Sequence, residues 1–176
     1  MSNILFFILF AAVLVFGIWL IQHTMYRHEE TKRQLELKRD TQKAISPIRL
    51  RAYERLALLL TRTTPEHMLM ELKSSQPEAL TSWSVPQLQQ YLLQTLRLEF
   101  DHNQSQQVYV SEEVWDMIIS ARDQMAAFII SMAAQLPPEA TAQTYATTLL
   151  TAYSSNGLTP SDKALSELKN EAQTLM

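Results

Sequence analysis

The chain has 176 residues, 47% of them apolar, only two glycines (Gly17 and Gly157) and no cysteine. That suffices for one modest core, argues against a β-rich fold that needs glycine at its turns, and excludes disulfides, thiolate metal centres and a cysteine nucleophile. The net charge of −3 is unevenly spread: residues 1–63 carry ten Lys/Arg against five Asp/Glu, whereas residues 64–176 carry five against thirteen.

After residues 1–3, the run at 4–21, ILFFILFAAVLVFGIWLI, has no charged or strongly polar side chain. As a helix it spans about 27 Å, close to the ~30 Å hydrocarbon core of a bilayer. Trp19 and Tyr26 suit the interfacial aromatic belt. A cleaved signal peptide fits less well, because Met1-Ser2-Asn3 lacks a cation and no small-x-small site follows the run. Residues 4–24 are therefore expected to be a retained transmembrane helix. Arg27, Lys32, Arg33, Lys38, Arg39 and Lys43 all follow it. Cations remain on the cytoplasmic side, so the expected topology is single-pass, N-terminus outside and body cytoplasmic.

Residues 25–45 favour helix and contain no breaker. Glu29 can pair with Arg33 and Glu36 with Arg39, but Leu35, Leu37 and Ile45 make no heptad seam, so a solvated helical stalk is expected rather than a coiled coil. Next come hydroxyl-proline pairs (Ser46-Pro47, Thr64-Pro65, Thr159-Pro160), with Ser84 ahead of Val85-Pro86, Pro137-Pro138 opening another segment and Asn156-Gly157 closing it. A capping hydroxyl before a proline at the first helical position marks helix starts. The predicted helices are 47–63, 65–74, 85–102, 111–135, 138–154 and 160–174.

Spacing supports these helices. Leu50, Tyr53, Ala57 and Leu60, with Leu56 and Leu59 beside them, form one face; Leu88, Leu92, Leu96 and Phe100 form another. Val114, Ile118, Ala121, Met125, Phe128 and Met132 recur at alternating intervals of four and three, as in the central helix of a bundle. Tyr145, Thr148, Leu149, Ala152 and Tyr153 face one way. The last segment, 156–176, is only sparsely apolar (Ala164, Leu165, Leu168) and is expected to pack weakly. The fold class is all-α: a transmembrane helix, a stalk, and a multi-helix bundle over 46–155.

Several groups suggest chemistry. Glu99 and His102 have the Glu-x-x-His spacing of di-iron bundles, but no second such pair exists. His67 and Glu71 lack the second histidine of a zinc hydrolase, and the collar's His23 and His28 lie among arginines. No nucleophile elbow or phosphate-cradling loop occurs. No metal or other cofactor is implied. The stretch LEFDHNQSQQVYVSEEVW reads as a connector: polar side chains end one helix, Val108-Tyr109-Val110 makes a short extended step, and Ser111 caps the next helix with Glu112 and Glu113 in its first turn. Arg49, Arg51, Arg55 and Arg62 form a candidate basic patch facing lipid or a protein partner; the acidic remainder argues against nucleic acid.

The segments ISPIRLRAYERLALLLTRTTPEHMLMEL and LRLEFDHNQSQQVYVSEEVWDMIISAR resemble a group of small, uncharacterised, single-span proteins of Bacteroidota over about 46–153. The resemblance implies a bacterial inner-membrane protein and carries over no catalytic or binding residue. The expected function is a membrane-anchored interaction scaffold or accessory subunit, not an enzyme, held in lipid by residues 4–21 and joined to protein partners of an envelope complex. The alternative is a ligand sensor or enzyme with a polar pocket around Glu99, His102 and Tyr109. Geometry discriminates: the pocket needs these side chains to converge on an enclosed cavity.

Overall fold

The computed structural model describes residues 47–155 and 157–174, together with positions 10, 14, 16, 17 and 19. It divides into two units, 1–46 and 47–176. In the first, the five described positions are helical, and Phe10, Leu14, Phe16 and Trp19 are exposed. The rings of Phe16 and Trp19 stack with centroids 6.0 Å apart. The rest of the expected span, the collar histidines and the stalk with its Glu29–Arg33 and Glu36–Arg39 pairs lie outside the described residues.

The second unit is all-helical: α1 (47–62), α2 (Pro65–Ser75), α3 (Ala79–Ser82), α4 (Val85–Asn103), a 3-10 helix (Gln104–Tyr109), α5 (Glu112–Ala134), α6 (Ala142–Ser155) and α7 (Pro160–Thr174). The punctuation works as its chemistry requires. Thr64 Oγ1 accepts from His67 N ahead of Pro65. Gln87 Oε1 accepts from Ser84 N in a capping box that starts α4. Ser111 Oγ accepts from Val114 N to start α5. Thr159 Oγ1 accepts from Asp162 N while the Asp162 carboxylate accepts from Thr159 N, a reciprocal cap for α7.

Several expectations need correction. Residues 104–109 coil into a 3-10 turn instead of stepping out as an extended strand, because the chain leaves α4 without reversing its backbone angles: Asn103 is still αR, and its side-chain amide donates to Glu99 O. The short helix α3 has no counterpart among the predicted helices; Gln76 and Glu78 carbonyls hold it through Ala79 N and Ser82 N. The α6 helix starts at Ala142 rather than at 138, because Pro137 and Pro138 form a turn closed by Ala140 N to Pro137 O, and Thr141 Oγ1 provides the cap to Thr144 N. In α1 the buried face centres on Leu56, with Tyr53, Leu59 and Leu60 beside it; Leu50 is exposed.

Two hydrophobic cores share one spine. The first joins Met68 and Leu72 of α2, Leu88 and Leu92 of α4, Met125 and Ile129 of α5, and Tyr145 and Leu149 of α6. The second joins Leu56 and Leu60 of α1, Phe100 of α4, Val114 and Ile118 of α5, and Ala164 and Leu168 of α7. The α5 helix thus buries its N-terminal half in one core and its C-terminal half in the other. Its length and apolar composition are those of a membrane-crossing helix, met by no other helix among the described residues. Here its buried stripe serves the two cores: Val114, Ile118, Ala121, Met125 and Ile129 are buried, while Phe128 and Met132 lie half-buried at the edge of the first. Tyr145 ties α6 to this spine by donating its buried hydroxyl to Ile129 O at 2.6 Å. Among the methionines of the bundle, Met68 and Met125 are buried, Met117 and Met132 half-buried, and Met70 exposed.

The C-terminal helix also packs more firmly than its composition implies. Ser161, Ala164 and Leu168 recur at three and four residues and are all buried. Two small residues let α7 approach α5 closely, so one leucine is enough to anchor it.

Candidate functional site

Among the described residues, no hydrogen bond or ion pair links Glu99, His102 and Tyr109 to one another. Glu99 is half-buried and lies 4.0 Å from Arg62 of α1. His102, three residues on, is exposed. The backbone of Tyr109 is engaged elsewhere, its carbonyl accepting from Arg49 Nε at 3.1 Å. A small cavity of about 10 Å³, room for one water, lies between α1, α4, α5 and the start of α7. Leu59, Leu60, Phe100, Ile118, Arg122 and Ser161 help line it, and none of the three expected residues does. Among the described residues, no three His, Asp or Glu side chains stand close enough to hold a metal ion. His67 turns to its own cap, with Nδ1 3.0 Å from Thr64 Oγ1, rather than to Glu71.

The basic patch divides. Arg49 leaves it: its guanidinium donates to Tyr109 O and to the Tyr53 hydroxyl and lies 3.7 Å from Glu171. Arg51, Arg55 and Arg62 stay on the exposed side of α1. Among the described residues, Arg51 and Arg55 have no ion-pair or hydrogen-bond partner, and Arg62 has only its pair with Glu99.

The polar cluster that does form is centred on Glu171 of α7. Its carboxylate accepts from the Tyr53 hydroxyl at 2.8 Å and from Ser111 N at 3.0 Å, and also from Ser111 Oγ. One side chain therefore joins α1, the N-terminus of α5 and α7. Burial opposes ionisation of Glu171, but the hydrogen bonds from Ser111 and Tyr53 and the charge of Arg49 outweigh it and hold the carboxyl below its usual range. Burial and the adjoining carboxylate push the Tyr53 hydroxyl up to about 12. Glu171 and Ser111 satisfy one another, and no buried side-chain nitrogen or oxygen among the described residues lacks a partner. A network saturated in this way clamps α1, α5 and α7 together.

A family model matches residues 1–175, nearly the whole chain. The chain belongs to a family of unknown function, DUF7935. No curated protein and no solved structure matches it. Membership agrees with the resemblance to an uncharacterised family, and this family member has an all-helical body.

Sequence reasoning missed Glu171. In SELKNEAQTLM it looks like any solvated helix glutamate, and its partners lie 118 and 60 residues away. The one signal available was Tyr53, a hydroxyl on a buried face that needs an acceptor.

Proposed function

We propose that the chain is a membrane-tethered helical module, a scaffold or accessory subunit at the cytoplasmic face of a bacterial inner membrane, of the single-span kind found in Bacteroidota. The observation that carries this reading is the uncharged run at 4–21 followed by six Lys/Arg in residues 22–45. Such a run is long enough for a bilayer, and its cations favour retention of the following segment inside. An interaction role is supported by the outer surface of the body, which keeps Met70, Leu98, Val108 and Leu158 exposed. Protein partners in an envelope complex would be bound by that surface.

The reading is tested in intact cells. The full chain should stay in the membrane fraction after carbonate washing, and external protease should leave its C-terminus intact until the inner membrane is opened. Extraction by carbonate, or cleavage of the C-terminal body in sealed spheroplasts, would reject it. Native cross-linking of the same membranes should then give a reproducible protein partner.

A further inference from the structure

We infer that the exposed face of α1 is a docking strip for anionic phospholipid headgroups, formed by Ile48, Arg51, Arg55, Leu58 and Arg62. The inference rests on the tethered reading, which supplies the lipid. At 100° per residue these five positions, spaced 3-4-3-4, fall within an arc of about 80° and extend about 21 Å along the helix. Ile48 and Leu58 are 51% and 45% exposed, although the opposite face of the same helix is fully used by the second core.

Charge and pairing select the occupant. Arg51 and Arg55 have no partner among the described residues, and the Arg62–Glu99 pair, at 4.0 Å and half-open to solvent, is weak enough to exchange. A guanidinium presents a planar fork of donors that matches a phosphate. Two separated aliphatic side chains are too few for the dry centre of a protein interface, yet they suit insertion between headgroups, with the arginines reaching up to phosphate. Glu54, on the flank of the strip, is the opposing charge on this helix. Beyond residue 63 the chain is strongly acidic, so an anionic surface would attract α1 and repel most of the body. That polarity gives the bundle a defined face toward lipid. Arg49 takes no part, because Tyr53, Tyr109 and Glu171 hold it.

The absence of cysteine allows a direct test on the full chain. An environment-sensitive fluorophore is attached at Leu58→Cys, or as a control at Thr147→Cys on the exposed face of α6, and each protein is placed in nanodiscs. With phosphatidylglycerol present, the label at position 58 should shift to shorter wavelength and be quenched by headgroup spin labels. The label at 147 should do neither. In phosphatidylcholine alone, or with Arg51, Arg55 and Arg62 all replaced by Gln and the helical circular dichroism unchanged, the response at 58 should fall at least several-fold. A label at 58 that stays in water in both lipids, in a chain that still incorporates into nanodiscs, would overturn the strip and assign these arginines to an acidic protein. Equal quenching with and without the arginines would overturn it as well. A chain that fails to incorporate at all would instead strike the tether reading, and the strip with it.

Discussion

The hydroxyl of Tyr53 reaches the carboxylate of Glu171 across 2.8 Å and so fastens the first helix of the bundle to the last. The bond is part-buried and ends on a charge, the class of hydrogen bond with the larger net worth. Replacing Tyr53 with Phe keeps the ring in the second core and removes only the hydroxyl, which donates to Glu171 and accepts from Arg49. The expected loss is about 1.5 kcal/mol, equivalent to a fall in Tm of about 5 °C for a body of this size. Urea unfolding of Tyr53→Phe should show it, with an unchanged slope; a midpoint equal to that of the wild type would mean that the clamp contributes nothing.

The same carboxylate sets an acid limit. The carboxyl of Glu171 ionises below its ordinary value of 4.5 when folded. Its ionised form therefore stabilises the fold above that unfolded value, and the contribution disappears as pH falls through the lower folded value. The advantage of wild type over Glu171→Gln should be constant near neutrality and shrink below about pH 4.5. Paired urea titrations across that range check the sign. Two curves that stay parallel down to pH 3 would place the titration on other carboxylates.

The shared spine has a consequence for cooperativity. Ile118 and Ile129 lie on one helix yet sit in different cores. Truncating either to Ala should cost about 2–5 kcal/mol, since each is almost wholly buried. Each core also has its own reporter: Trp83 packs against the first and Trp115 against the second. In a Trp19→Phe background, single-tryptophan chains retaining either Trp83 or Trp115 should report one midpoint for Ile118→Ala and one for Ile129→Ala. Separate midpoints in the two probes would show that α5 does not couple the cores.

Most of the bundle was legible because helix caps and apolar spacing are local signals. Ser111, Thr64 and Thr159 announce their helices within four residues, and Leu88, Leu92, Leu96 and Phe100 all point inward as their spacing requires. The illegible parts depend on distant partners or on geometry that many sequences allow. Leu50 and Leu56 are equally apolar, and packing against α4, α5 and α7 decides which is buried. Charge counting grouped Arg49 with Arg51 and Arg55, but Arg49 is one turn from Tyr53 and within reach of a carbonyl 60 residues away. For Gln104 to Tyr109, a polar run without glycine or proline, the sequence is compatible with either an extended step or a tight turn, and continuation from α4 decides it.

The C-terminal helix provides the sharpest contrast between composition and packing. Among its fifteen residues only three are buried, and Leu168, 2% exposed, is the sole large apolar one. It packs in the second core with Ile118 and Val114 of α5 and Leu56 of α1. A sparsely apolar helix that merely frayed would tolerate Leu168→Ala within about 0.5 kcal/mol, as surface positions do. The close approach allowed by Ser161 and Ala164 predicts otherwise: a loss of about 2–4 kcal/mol, because neighbouring helices cannot collapse into the space without losing the Glu171 clamp one turn further on. Hydrogen exchange separates the two cases directly. If α7 is integral, its amides around Leu168 should exchange with those of α5 in a single global opening, and Leu168→Ala should accelerate both together. Fast exchange confined to α7 in the wild type would restore the picture of a loosely held tail.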